Sequence, residues 1–487
     1  MIKKIIKFFW RNYFEEQRIL KNSFWIAFSR FVSSALRAIL IIYSFRILGP
    51  SLQGSFSLAM NFILIFSFIP DFGLTAVLIR ELVQNQERRK EILSNAIFSL
   101  LALMALSLIF IHLTKNIFIK DKLAINVIFI LSLFLVFDTL REFLYAIFRA
   151  EEKMELQGIS HILTNLLLLI FGITFLEENP TPMNLSYAYL LAGFVGFAFT
   201  FFILRKEFMF NLFRFLKLKT AFQLLNKSWP IGVANFLFLI LTYIDSLIIG
   251  WFRGSKDVGL YNASVKISEF LYFFPAAIAM ALFPIVSKKL RENRENLKET
   301  LSFAFQFSVF ISFPIFIGIF VLAPEIINFL FGKEYLISHP ALRLISFSIP
   351  INFFSLILLD MLIALDKRKE LLFYDFLVVL VNFILNLIFV PEFSYFASSL
   401  ITSISTFLSM VFAYLILRKY IVMPIKNIKF KNYLFSSLMM GGLILILPAS
   451  INVVLKVFLG AIIYFLFLYL LRDELILDKI KFYLNAS

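Results

Sequence analysis

Residues 24–43 read FWIAFSRFVSSALRAILIIY, and apart from Arg30 and Arg37 the stretch carries no charge. An α-helix rises 1.5 Å per residue, so twenty residues reach about 30 Å, the depth of a bilayer's hydrocarbon core. A membrane-spanning helix is the reading that fits, and the two arginines inside it then require a reason.

The rest of the chain repeats the pattern. Of 487 residues, 61% are hydrophobic and only 16% charged, which excludes an ordinary soluble domain. The apolar residues fall into continuous runs of about 18 to 25, not the alternating ten-residue segments of a transmembrane barrel, so the expected class is an all-α polytopic bundle. The absence of cysteine excludes disulfides and thiolate chemistry, and three scattered histidines do not make a zinc site. Nothing resembles a nucleophile–base pair or a phosphate-cradling glycine loop, so an enzyme is not expected, and neither is a metal or an organic cofactor.

Hydropathy places about fourteen spans, starting near residues 23, 54, 93, 123, 156, 183, 229, 257, 301, 341, 371, 394, 432 and 451. About 35 of the 47 Lys and Arg residues lie in the termini and connections on the N-terminal side of these spans, against about seven opposite. That asymmetry predicts cytoplasmic N- and C-termini in a multi-pass inner (plasma) membrane protein. It also accounts for most of the +16 charge without nucleic acid as a partner. Residues 1–22, with Ile2, Ile5, Ile6, Phe9, Trp10 and Tyr13 at helical spacing among lysines, suggest an amphipathic helix on an anionic bilayer surface. No cleavable leader is evident there, and the first span is expected to serve as the targeting signal.

Sliding the chain by 205 positions reveals an internal repeat. Ser23, Ile26, Phe31, Ile39, Gly49, Gly54 and Pro70 fall on Ser228, Ile231, Phe236, Ile244, Gly254, Gly259 and Pro275 without a gap. The repeat divides the chain into an N-lobe at 23–204, a basic linker at 205–228 and a C-lobe at 229–418, with two further spans and a cytoplasmic tail in 419–487. Parallel repeats of six spans predict a substrate site at their interface.

Five basic residues sit within or at the ends of spans: Arg30, Arg37, Lys266, Arg343 and Lys456. Arg30, Ser33, Ser34 and Arg37 are spaced i, i+3, i+4, i+7 and share one helical face, a cationic stripe. A basic residue at the centre of a span costs roughly 2.5–3.5 kcal/mol on insertion scales and usually marks a pathway. The alternative is snorkelling, each arginine being about 9 Å from its interface. Lys266 and Asp245 lie about 12 Å below the outer surface, near the level of Arg37. Lys266 is therefore open to pairing with Glu269, to pairing with Asp245, or to facing Arg37 across a cleft. Pro70, Asp71 and Gly73 interrupt the second span and Pro275 occupies the matching place in the eighth, so Pro70, Gly73 and Pro275 are candidate hinges. Asp138, Arg141 and Glu142 form a local cluster, and His112 and His161 read as structural.

The stretches FRILGPSLQGSFSLA at 45–59 and IPDFGLTAVLIREL at 69–82 resemble polysaccharide-export flippases of the multidrug/oligosaccharidyl-lipid/polysaccharide (MOP) exporter superfamily. So do TYIDSLIIGWFRGSKDVGLYNASVKI at 242–267, FPAAIAMALFPIVSKKL at 274–290, FGKEYLISHPALRLIS at 331–346 and ALDKRKELL at 364–372. The resemblance implies a two-lobed MATE-like bundle around a central cavity that moves a polyprenyl-diphosphate-linked glycan from the cytoplasmic to the outer leaflet by alternating access. Arg30, Arg37 and Lys266, with Ser33 and Ser34, are where this sequence offers cations and hydroxyls to a diphosphate. Asp245, Asp71 and Glu269 are assigned to gating or ion pairing.

Glycan polymerase proteins are a candidate partner, and H+ or Na+ a candidate coupling ion. Three other readings stay open: a peptidoglycan-precursor flippase, a cation-coupled multidrug exporter using Asp71, Asp138 and Asp245, and a non-transporting scaffold for glycan polymerisation.

Overall fold

The computed structural model describes residues 15–208, 212–292, 297–423, 429–448 and 450–473. Of the amphipathic segment expected in residues 1–22, residues 1–14 lie outside them, as does the tail after 473, and residues 15–22 belong to the first helix. Every regular element among the described residues is helical, and ten helical stretches are long and apolar enough to cross a membrane.

The chain forms two compact units that divide between Gly259 and Leu260. The first opens with α1, Glu15–Phe66, which carries the first two predicted spans and turns at Gly49 (φ 69°, ψ 174°), with Pro50 starting the second segment. Glycine reaches that left-handed φ without a steric penalty, and proline is favoured at a helix start because its missing N–H has no partner there. Then follow α2 (Phe68–Asp71), α3 (Leu74–Gln84), α4 (Arg89–Phe118), α5 (Lys122–Ala150), α6 (Met154–Glu178), α7 (Pro182–Leu204) and α8 (Leu218–Arg253).

The basic stretch before α8 lies inside this unit and is tied down. Glu91 accepts from Arg88 at 2.7 Å, Lys217 at 3.0 Å and Thr220 at 2.9 Å. Asn95 donates to the Phe215 carbonyl at 3.1 Å and accepts from the Lys217 N–H at 2.9 Å. These bonds join α8 to α4, and the division between units falls 31 residues after residue 228.

Helix α9 (Ser255–Leu271) begins in the first unit and continues into the second, which holds α10 (Phe273–Glu292), α11 (Leu297–Phe331), α12 (His339–Ser346), α13 (Ser348–Ala364), α14 (Arg368–Leu417, turning at Ser394, φ 52°), α15 (Phe430–Ile446) and α16 (Val453–Leu470). The segments follow the order of the predicted spans.

Proline removes a backbone donor, and two of the carbonyls it frees find donors on other segments. Pro70 cannot donate to the Phe66 carbonyl four residues back, and the Ser107 hydroxyl takes its place at 3.1 Å. Pro324 leaves the Phe320 carbonyl free, and Arg343 Nε donates to it at 2.9 Å. Lys456, 2% exposed, pairs with Glu325 at 2.7 Å. Two of the five in-span cations are thereby accounted for by local packing.

Candidate functional site: a cationic face on α1 and α6

The cationic stripe of α1 meets α6, and the contact can be read residue by residue. A β-carbon at Gly158 would touch Ser29 at 3.2 Å, and one at Gly172 would overlap Leu40 at 2.4 Å. These glycines let the two backbones approach closely, as small residues do where no water drives helices together. Between them His161 Nδ1 and Ser33 Oγ are hydrogen bonded at 2.8 Å, and Arg37 donates through Nε and Nη2 to Asn165 Oδ1 at 3.3 and 3.1 Å. The ladder 29/158, 33/161, 37/165 and 40/172 rises in the same direction on both helices, so α1 and α6 run parallel, as the first and fifth spans must.

Ser33 is buried against α6, whereas Arg30, Ser34 and Arg37 are exposed. Arg30 makes no hydrogen bond or ion pair among the described residues. The partner of Arg37 is a neutral amide, so neither arginine is paired with an anion among the described residues. Arg141, 4% exposed, bonds Asp138 through Nη2 and has no partner on Nε or Nη1 among the described residues.

The remaining predicted residues lie elsewhere. Lys266 pairs with Glu269 at 2.6 Å on α9, the first of the three arrangements open to it. Asp245 is 1% exposed on α8. Asp71 accepts from the Thr75 N–H at 3.1 Å and from its hydroxyl, capping α3. Gly73 (φ 77°) starts α3 where a β-carbon would stand 2.6 Å from the Ser228 carbonyl, so close approach to α8 demands glycine there. Pro275 follows the break between α9 and α10. Asp71, Asp138 and Glu142 also line a cavity of 410 Å³ in the first unit, with Thr75, Asn235 and Phe238. In the second unit Phe305, Phe313, Phe354, Phe407, Met410 and Phe430 line an apolar cavity of 410 Å³.

Sequence reasoning set His161 aside as structural and passed over Asn165. Two polar residues at i, i+4 within a span were the available signal. Their placement opposite Ser33 and Arg37 was not readable, because it depends on how two helices 128 residues apart dock.

A family model described as "Polysaccharide biosynthesis protein" matches residues 19–290, more than half of the chain. The chain belongs to this family. A second model, MatE, matches residues 230–388. The probable low-salt glycan biosynthesis flippase Agl15 of Haloferax volcanii is 22% identical over 91% of this chain and 93% of its own. Among solved structures, the lipid II flippase MurJ in an inward closed conformation superposes with a TM-score of 0.73 at 20% identity, covering 94% of this chain and all of its own. An inward-facing multidrug resistance MATE family transporter of the MOP superfamily gives a TM-score of 0.64 at 16% identity, covering 80% of this chain and 94% of its own. The expected MOP-superfamily membership and the all-α, MATE-like membrane fold hold, and the family is one of multi-pass membrane transporters, not enzymes.

Proposed function

We propose that this protein is a flippase that carries a polyprenyl-diphosphate-linked oligosaccharide from the cytoplasmic to the outer leaflet by alternating access, through fourteen spans with both termini cytoplasmic. The observation that carries this reading is the contrast among the in-span cations. Lys266 and Lys456 have carboxylate partners and Arg343 is held by a proline-freed carbonyl, whereas Arg30 and Arg37 lie together, exposed on one helical face, with no anion among the described residues. An uncompensated guanidinium pair within a span is costly unless an anion arrives, and guanidinium is the side chain best shaped for phosphate oxygens.

Arg30 and Arg37, with Ser34 beside them, take the diphosphate. Lys266 becomes available when Glu269 releases it, and Asp245 acts in gating. The name of the Haloferax relative supports a glycan cargo, and glycan polymerase proteins are the expected neighbours. Translocation would be coupled to H+ or Na+.

The test is binding of undecaprenyl diphosphate to the purified protein beside a lipophilic cationic dye. Saturable lipid-diphosphate binding that falls at least tenfold in Arg30→Ala/Arg37→Ala supports the flippase; unchanged binding overturns it. One observation favours a multidrug exporter as second reading, the cavity in which Asp71, Asp138 and Glu142 outnumber the lining Arg149. Dye binding that survives the arginine changes and disappears in Asp138→Asn would select it.

A further inference from the structure

The repeat at an offset of 205 residues meets itself in space at one elbow of the first unit. Gly49 and Gly254 are equivalent positions, as are Pro50 and Ser255, and Gly54 and Gly259. The two leading glycines adopt the same conformation, φ 69° and ψ 174° against φ 86° and ψ 176°. A β-carbon on Gly54 would lie 1.8 Å from the Ser255 carbonyl oxygen, and one on Gly259 would lie 2.0 Å from the Pro50 carbonyl oxygen. Each glycine therefore faces the equivalent of its own neighbour, and the start of α9 packs on the second half of α1, backbone against backbone, with a local two-fold relation.

Asp121 bridges this elbow from the connection between α4 and α5. One of its oxygens caps α5 through the Leu123 N–H at 2.8 Å. The other accepts from Ser55 Oγ at 2.5 Å and also from Ser255 Oγ. Lys120 stacks 4.2 Å over the Trp251 ring, which fixes the connection beside the end of α8. One carboxylate thus ties the elbow of α1, the start of α5 and the start of α9.

We infer that this elbow is a releasable clasp: Asp121 holds Ser55 and Ser255 together, and the transport cycle requires the start of α9 to part from α1 there. Three features favour release over a permanent joint. No side chain is inserted between the glycine-faced backbones, so parting them leaves no cavity of the kind that makes core separations costly. The bonds run to a partly exposed carboxylate where water can replace the hydroxyls. The segment gripped is the one by which the chain passes into the second unit at Leu260.

The inference rests on the transporter reading, and its test separates the two. The chain has no native cysteine, so Ser55→Cys/Ser255→Cys can be oxidised without side reactions, free thiols being counted with a polymer-tagged maleimide. In proteoliposomes with a fluorescent polyprenyl-diphosphate disaccharide, transfer between leaflets should fall more than tenfold on oxidation and return on reduction. Transfer that persists in the cross-linked protein overturns the clasp while leaving the flippase intact. If the wild-type protein moves no lipid, the flippase reading fails and the clasp is judged without substrate, by spin labels at the exposed Ser51→Cys and Lys256→Cys. Two distance populations, with the longer one enlarged in Asp121→Asn, support it; one distance unchanged by that substitution overturns it.

Discussion

Asn165 turns its amide oxygen to Arg37 because its own nitrogen is bound to the carbonyl of His161, one turn earlier on α6, at 2.8 Å. The buried amide is oriented by its helix and offers Arg37 a dipole without a charge. Asn165→Asp would replace that dipole with an anion and neutralise the guanidinium. Titration with undecaprenyl diphosphate should show affinity at least tenfold weaker in Asn165→Asp, and a smaller loss in Asn165→Ala. Unchanged affinity in Asn165→Asp would remove Arg37 from the binding site.

Gly73 and Gly54 test close approach against flexibility. Gly73→Ala places a β-carbon 2.6 Å from the Ser228 carbonyl at φ 77°, where an L side chain costs roughly 1–2 kcal/mol before any clash is counted. Folded yield and thermal stability in detergent should drop for Gly73→Ala and Gly54→Ala, and much less for Pro70→Ala. Ample folded Gly73→Ala with slowed transport would instead support the hinge reading of this position.

Lys456 and Glu325 form a pair with unequal burial, 3% and 37% of the side chains being exposed. Removing the carboxylate strands a buried ammonium, whereas removing the ammonium leaves a carboxylate that water reaches. Glu325→Gln should therefore destabilise more than Lys456→Met, by about 1–3 kcal/mol in thermal or denaturant unfolding. The reverse order would mean that Lys456 is packed for its alkyl stem.

The pH response of the clasp follows from Asp121, which lies between spans. Burial raises its carboxyl, but the hydroxyls of Ser255 and Ser55 and the N–H groups of Leu123 and Ala124 outweigh burial and hold it below its ordinary value. A depressed carboxyl contributes stability that is complete above the ordinary carboxylate range and is lost as pH falls through the lower, folded value. The distance between spin labels at positions 51 and 256 should stay constant from neutral pH down to about 4 and lengthen only below it. Lengthening near pH 6 would show that another group controls the elbow.

What the sequence determined by itself was whatever depends on local composition: membrane-long apolar runs, proline and glycine breaks, the basic asymmetry, and a repeat whose glycines mark two equivalent turns. The spans and their breaks are each written within about twenty residues of chain, because helix formation in lipid depends only on satisfying the backbone inside one segment. The partners of the polar groups were decided by tertiary structure. Nothing in the linear order pairs Ser33 with His161, Arg37 with Asn165, or Asp121 with Ser55 and Ser255, and the basic stretch read as a linker between lobes is bound to α4 by Glu91 and Asn95. Lys456 looked like Arg30 and Arg37 as a letter, and differs because docking supplied it with the Glu325 carboxylate, whereas Arg37 met only the neutral amide of Asn165. An isolated helix can present a charge; only its packing against other helices decides whether that charge is already satisfied.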